Sequence, residues 1–298
     1  MIKDLIKKIY LAIPGKYFVF TILKKVFSFK FETYQHFHFK GTFKVQTYYG
    51  KEIKLFHFGG YTHIAESCLF WEGINGFDEK DSLRIWEKLS ENSSNIFDIG
   101  ANTGVYALVA AKSNKKAKVY AFDPVKRTYK KLVKNIKLNG LEDQIIPIEK
   151  AASNYNGTGK LYDLPIENIY SVTVNSNLHD KKLNAVPVEI DLIKLSDFIV
   201  AEEIGKIDLI KIDVESHEPE VLEGMSDHTA LFKPTILLEV WNDDIAVKIE
   251  QIVKNLDYLI FDFDEINGPV RLGKMAKSSK HNILLIQKEQ AERVRLIA

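Results

Sequence analysis

The chain has 298 residues, 46% hydrophobic and 27% charged, the composition of a globular protein with one large or two modest domains. A net charge of +1 provides no global field for nucleic acid, and the single cysteine, Cys68, excludes an internal disulfide and suits a reducing compartment. No apolar run reaches the roughly 18–20 residues that span a bilayer, and no A-x-A-like cleavage pattern is present, so the expected location is cytoplasmic.

At the N-terminus Ile2, Leu5, Ile6, Ile9 and Ile13 recur at helical spacing beside Lys3, Lys7 and Lys8, until Pro14-Gly15 breaks the pattern. A second apolar piece over 17–23 ends in Lys24-Lys25, and with Lys16 and Lys30 these lysines face only Asp4 and Glu32. A basic amphipathic segment of this kind, residues 1–30, fits peripheral contact with the inner face of a membrane, or packing on the domain or a second subunit. Over 37–58 the pattern turns to alternation: Phe37, Phe39, Phe43, Val45 and Thr47, then Ile53, Leu55, Phe56 and Phe58. Short strands are expected there, with Tyr49-Gly50-Lys51 as a hairpin turn. His36 and His38 on such a strand point the same way, but no third ligand at zinc-like spacing joins them, so they read as structural. Residues 1–75 are thus an amphipathic segment and a small β module, and 76–298 the main domain.

Residues 61–94 read as mostly helical, with Ile85, Trp86 and Leu89 as the apolar stripe. From there strands and helices alternate, which predicts a mostly parallel sheet with helices on both faces. The first strand runs Ile96-Phe97-Asp98-Ile99 into the turn Gly100-Ala101-Asn102-Thr103-Gly104, followed by an apolar helix over 105–112. Strand–turn–helix form places a small ligand over the turn. A loop that cradles a pyrophosphate wants no carboxylate, because anion faces anion, and a dinucleotide loop wants glycine where Asn102 stands. S-adenosylmethionine carries an ammonium and a sulfonium, and both favour a nearby acid. Asp98, Gly100, Asn102 and Gly104 therefore read as a methyl-donor loop.

The second strand, 118–123, ends in Asp123 before Pro124, where an acid accepts the ribose hydroxyls of an adenosine. The next helix buries Val125, Tyr129, Leu132, Val133 and Ile136. Its other face, with Lys126, Arg127, Lys130, Lys131, Lys134 and Lys137, reads as solvated. Asn139-Gly140 closes it as a left-handed cap. Strand three is 145–148, and the turn 149–153, with Ala151, is expected to pass the adenine ring. Residues 157–174 read as polar turns and strand fragments, 186–193 as a strand and 196–200 as a short helix.

A second constellation follows in Ile210-Lys211-Ile212-Asp213-Val214-Glu215-Ser216-His217-Glu218-Pro219. Its strand lies beside strand one at the topological switch, so Asp213, Glu215, His217 and Glu218 reach the donor crevice. Pro219 opens a helix over 220–225, and acids at a helix start suit its dipole, which accounts for Glu218 or Glu220 but not Asp213. Strand five, 235–240, adds Glu239 at the same rim. A helix over 245–256, a strand over 258–263 and a last strand over 281–286 complete the pattern.

The chain resembles the FkbM family of S-adenosylmethionine-dependent methyltransferases. The likeness rests on Asp98-Ile99-Gly100-Ala101-Asn102-Thr103-Gly104, Ala121-Phe122-Asp123-Pro124, Ile210-Lys211-Ile212-Asp213-Val214-Glu215, His217-Glu218 with Val221-Leu222-Glu223-Gly224, and Asn282-Ile283-Leu284, over residues 76–288. It implies a Rossmann-like class I methyltransferase fold, seven strands with the last antiparallel between the fifth and sixth. It also implies O-methylation of a hydroxyl on a sugar, polysaccharide, glycolipid or polyketide-like acceptor, with S-adenosylmethionine as donor. Asp123 stands where the family more often has glutamate, and Ser216 where glycine is usual.

A sugar hydroxyl needs a general base. His217 is the first choice because it titrates near neutral pH, with Asp213 and Glu215 as rivals. A variant has Asp213, Glu215 and Glu239 hold a divalent cation that polarises the hydroxyl. The competing functions are a nicotinamide-dependent oxidoreductase on the same fold and a non-catalytic membrane-associated partner protein. Nucleobase amino-methylation lacks its Pro-Pro-aromatic signature after strand four.

Overall fold

A computed structural model describes residues 14–59, 64–163, 186–264, 268–278, 280 and 282–297. The chain divides into two compact units, Met1–Lys80 and Asp81–Ala298, a boundary five residues beyond the one read from sequence.

Among the described residues the first unit begins with α1 (Lys16–Val26) and a single turn, α2 (Phe31–Tyr34). A hairpin of β1 (Gly41–Gln46) and β2 (Glu52–His57) follows, its register running from Gly41 opposite His57 to Gln46 opposite Glu52. Gly50, at φ +74°, makes the expected turn. Helix α3 (Ile64–Glu72) lays Phe70 and Trp71 against Phe20, Phe37, Phe39 and Phe43. Phe37 and Phe39 do not form a strand. Their rings join this cluster from a loop, with His38 between them buried as well. His36 is exposed and His38 buried, so the two do not share one face as expected. His57 binds the carbonyl of Phe39 through Nδ1 and shares a hydrogen bond with Ser67 through Nε2, and burial lowers its pKa to about 3. The pattern of residues 1–13 lies outside the described residues.

The second unit starts with α4 (Lys80–Ser90), whose buried Trp86 donates its indole N–H to the carbonyl of Tyr106. Then come β3 (Asn95–Ile99), α5 (Val105–Ser113), β4 (Lys118–Phe122), α6 (Lys126–Asn139) and β5 (Ile145–Ile148). Next are β6 (Ala151–Ser153), β7 (Gly157–Asp163), β8 (Val186–Lys194) and α7 (Leu195–Ala201). The chain continues with β9 (Leu209–Ile212), α8 (Glu218–Glu223), α9 (Ser226–Phe232), β10 (Thr235–Glu239) and α10 (Asp243–Val253). It ends with β11 (Leu259–Asp264), β12 (Gly268–Leu272), β13 (Asn282–Ile286) and α11 (Lys288–Arg293).

The main sheet runs β12-β11-β13-β10-β9-β3-β4-β5. From β10 to β5 neighbours are parallel, and β13 inserts antiparallel between β10 and β11. This is the expected order with one strand more. The addition, β12, pairs antiparallel with β11 at the sheet edge, where Pro269 deprives no inner ladder of a donor. A second, three-stranded sheet has the order β6-β8-β7. Residues 151–153 thus form a strand where a turn was expected, and 157–163 a full strand. The remainder of that region, 164–174, lies outside the described residues.

Central strands are covered on both faces, and their near-continuous apolar sequences follow from that. Phe97, Tyr120, Phe122 and Phe198 stack under the sheet with centroids 5.2–6.1 Å apart. Helix α5 is buried from Val105 to Ala111, as a helix apolar on every side requires. Gly140 closes α6 at φ +61°, as a left-handed cap.

Candidate functional site

The loop after β3 is held from three sides. The N–H groups of Gly100 and Ala101 both donate to the carbonyl of Phe122 at 3.0 and 2.9 Å, bending the chain over the end of β4. Gly100 sits at φ +84°, and a Cβ there would stand 1.8 Å from the carbonyl oxygen of Asp213. Gly104 sits at φ +92°, and its Cβ would stand 2.6 Å from Leu132 Cδ1 of α6. Asn135 of α6 donates to the carbonyl of Thr103 at 2.8 Å. Both glycines therefore serve close packing, Gly100 against the second motif and Gly104 against the following helix. Between them Asn102 adopts φ +51°, and its side-chain oxygen is buried with no hydrogen-bond partner.

Asp98 is 1% exposed within β3. Its cross-strand neighbour on β9 is Lys211, and residues side by side in a parallel ladder share one face of the sheet. Lys211 is buried too, and its ammonium donates to Asp213 Oδ2 at 2.5 Å and lies 4.4 Å from the centre of the Tyr106 ring. Asp98, Lys211 and Asp213 consequently line one face beneath α5. Lys211 has no assigned role in the sequence reading. The signal that finds it is a lone cation inside the otherwise apolar strand Leu209–Ile212, since a buried ammonium needs a carboxylate partner.

Asp123 ends β4 and is 6% exposed. Its Oδ1 accepts from the N–H of Val125 at 2.9 Å and the hydroxyl of Thr128 at 2.6 Å. Burial raises its pKa to about 7 against the effect of these bonds and of a backbone bond from Asn102. The carboxyl expected to meet a ribose thus also braces α6 and the first loop. Ala151 opens β6 opposite Leu192, half-buried.

In the loop after β9 the N–H of Asp213 continues the ladder to the carbonyl of Ile99 at 2.9 Å. Glu215 and Ser216 then take φ +54° and +78°, the left-handed pair that a glycine-type turn needs. Glu218 folds back beneath them. Its Oε1 accepts from the N–H groups of Val214 and Ser216, each at 3.2 Å, and its Oε2 is buried with no partner. Burial, with the charge of Asp213 nearby, lifts its pKa to about 8. Glu218 thereby shapes the loop, which a helix-dipole role alone does not describe.

His217 precedes α8. Its Nε2 shares a 3.1 Å hydrogen bond with the hydroxyl of Ser153, and its Nδ1 lies 3.5 Å from Glu220 Oε2. Burial lowers its pKa, against the raising effect of Glu220 and Glu223. Gly224, just past α8, would drive a Cβ to 2.0 Å from the carbonyl oxygen of Ser153. His217 and Gly224 therefore fasten both ends of α8 to β6. Neither ring nitrogen of His217 is bonded to Asp213 or Glu215.

Glu239 ends β10 and accepts the indole N–H of Trp241 at 2.9 Å. The register Leu238–Ile212 places it beside the Asp213 end of β9. Among the described residues no group of three His, Cys, Asp or Glu side chains is placed to hold a metal ion, Asp213, Glu215 and Glu239 included.

Residues 98–266, more than half of the chain, match the model of the methyltransferase FkbM domain. Methyltransferase sdnD of Sordaria araneosa is 26% identical over 190 residues, covering 54% of this chain and 71% of that protein. The hexuronic acid methyltransferase AglP of Haloferax volcanii is 28% identical over 151 residues, 50% of this chain and 57% of that one. The 31-O-demethyl-FK506 methyltransferase FkbM of Streptomyces tacrolimicus is 27% identical over 164 residues, 44% and 59% respectively. The chain thus spans less than two thirds of the last two. Among solved structures, the methyltransferase FkbM from Methylobacillus flagellatus KT superposes with a TM-score of 0.43 at 14% identity, over 65% of this chain and 44% of that one.

Proposed function

Because this chain belongs to the FkbM family of S-adenosylmethionine-dependent methyltransferases, we propose that it methylates a hydroxyl of a sugar, polysaccharide or glycolipid-type acceptor. The observation that carries the donor half is the union of two loops. Gly100 lies against the backbone of Asp213 so closely that the two motifs form one surface.

The residues present fit the donor. The buried Asn102 Oδ1 has no hydrogen-bond partner among the described residues and suits an ammonium or hydroxyl donor. The same loop follows Asp98, gives a backbone bond from Asn102 to Asp123 and packs Gly100 against Asp213. Lys211, a buried cation on the face of Asp98 and Asp213, is already paired with Asp213. A pyrophosphate would meet carboxylates here, which speaks against a nicotinamide cofactor. Bound S-adenosylmethionine supplies an electrophilic methyl group on sulfur. The protein's part is to align an acceptor oxygen with it and take that oxygen's proton.

For the proton we assign Asp213 ahead of His217. Asp213 retains 25% side-chain exposure and is oriented by Lys211, whereas both nitrogens of His217 already face Ser153 and Glu220. The sugar-type acceptor rests on the names of two relatives, one a hexuronic acid methyltransferase and one acting at an oxygen. The test is incubation with labelled donor and separated glycolipid, polysaccharide and small-sugar fractions. Label that enters carbohydrate and withstands mild base supports an ether-forming O-methylation. Label in protein or nucleic acid instead contradicts it.

A further inference from the structure

Helix α1 already has an inward face. Phe20 stacks on Phe37 at 5.3 Å between centroids and packs on Trp71 at 5.7 Å, and Lys24 donates its ammonium to the carbonyl of Phe70 at 2.7 Å. At about 100° per residue, Phe18, Val19, Ile22 and Val26 form a second apolar stripe on the other side. They are exposed by 69, 50, 47 and 69%, and Phe27 and Phe31 extend the patch at 54 and 37%. Isolated exposed apolar residues are ordinary, but a contiguous aromatic and aliphatic stripe marks an interaction surface.

Its charge surroundings say with what. Lys25 and Lys30 flank the stripe and are exposed, and no acid occurs from residue 5 to residue 31. Residues 1–31 hold seven lysines and one carboxylate, a net of +6 (7 − 1) in a chain whose total is +1, so the remainder carries −5. A groove of about 620 Å³ beside the stripe brings Lys24, Lys25, Phe27, Phe29 and Trp71 around one open space, with Glu72 as the carboxylate in its lining. Cations next to aromatic rings, with an apolar face that points outward, meet the requirements of an interface with anionic lipid. A second copy of this chain would bring the same positive charge against itself.

We infer that the outward face of α1, together with Phe27 and Phe31 beyond its end, docks the protein on an anionic membrane surface. The apolar stripe enters the headgroup boundary, and Lys25 and Lys30 meet lipid phosphates. Among the described residues no helix is long and apolar enough to cross a membrane, so the contact is peripheral.

The full chain is floated with vesicles of phosphatidylcholine alone and of phosphatidylcholine with phosphatidylglycerol, at low and high salt. The expected result is binding to the anionic vesicles, weakened at least about tenfold by salt or by Lys25→Glu/Lys30→Glu. Phe18→Ser/Val26→Ser should bind at least about tenfold more weakly with an unchanged unfolding midpoint, because those side chains are exposed. Absence of vesicle binding would overturn the inference, as would equal binding to both vesicle types or binding that neither variant reduces. Two other occupants have their own signatures, and each also overturns it. Concentration-dependent dimers abolished by Phe18→Ser/Val26→Ser, without vesicle binding, would identify a second copy. A lowered unfolding midpoint in that variant, without vesicle binding, would mean that residues 1–13 cover the stripe.

Discussion

The α-carbon of Gly100 lies so close to the carbonyl of Asp213 that a single added methyl group would stand 1.8 Å from that oxygen. The contact joins the ends of β3 and β9, and each strand carries one half of the candidate site. Gly100→Ala cannot be absorbed by a side-chain shift, because the obstacle is backbone and φ is +84°. The expected loss is at least about 3 kcal/mol in urea unfolding, together with loss of donor binding. A loss below about 1 kcal/mol would mean that the two loops are not in contact.

Lys211 is the buried counter-charge on the face it shares with Asp98 and Asp213. Lys211→Met should destabilise by about 3 kcal/mol, because it leaves a carboxylate without its partner. Adding Asp213→Asn to that variant should return part of the loss. A double-mutant cycle measures the coupling, and strictly additive losses would refute the pair.

Ser216 holds φ +78° where a glycine would adopt the same conformation freely. Ser216→Gly keeps the N–H that donates to Glu218 and removes the strain of a side chain in the left-handed region. The expected change is a gain of about 1 kcal/mol, after allowing for the extra freedom of glycine in the unfolded chain. Chemical denaturation measures it, and a loss of stability would show that the Ser216 side chain has a role of its own.

Glu218 has an ordinary pKa near 4.5 and a folded value of about 8. The folded state therefore holds a proton that the unfolded state has released. Its contribution to stability is most favourable below about pH 4.5 and falls as pH rises to about 8. Asp123 acts in the same direction between 3.8 and about 7. Glu218→Gln keeps an acceptor for Val214 and Ser216 but cannot ionise. Its unfolding free energy should fall less steeply from pH 5 to 8 than that of the parent protein. Identical slopes would contradict the burial of this carboxyl.

Much of this was legible in the sequence, for identifiable reasons. The turn at 100–104 announces itself because strand, acid and paired glycines are consecutive, and Asn139-Gly140 because a left-handed cap has few chemical solutions. Regular alternation predicts a mostly parallel sheet with helices on both faces, and the family resemblance implies the seven-strand order with its antiparallel last strand. Strand β12 was hidden because an edge strand needs little apolar sequence, and Val270 alone gives it away poorly. Phe37 and Phe39 alternate as a strand would, but both rings reach the aromatic cluster from a loop in which the intervening His38 is buried too. The site's polar wiring was the least legible. That His217 binds Ser153 and that Lys211 sits beside Asp98 both depend on strand register and long-range packing. No local window contains both partners.

The donor site is tested most directly by calorimetric titration with S-adenosylhomocysteine, with a nicotinamide dinucleotide as control, on the parent protein and on Asn102→Gly. The buried Asn102 oxygen has no hydrogen-bond partner among the described residues, and glycine readily takes the φ of +51° held there, so the substitution should leave the unfolding midpoint near that of the parent. Saturable binding of S-adenosylhomocysteine alone, weakened at least about tenfold in the variant, is the predicted result. Binding of the dinucleotide in its place, or equal affinity in parent and variant, would contradict the assignment of these loops to a methyl donor.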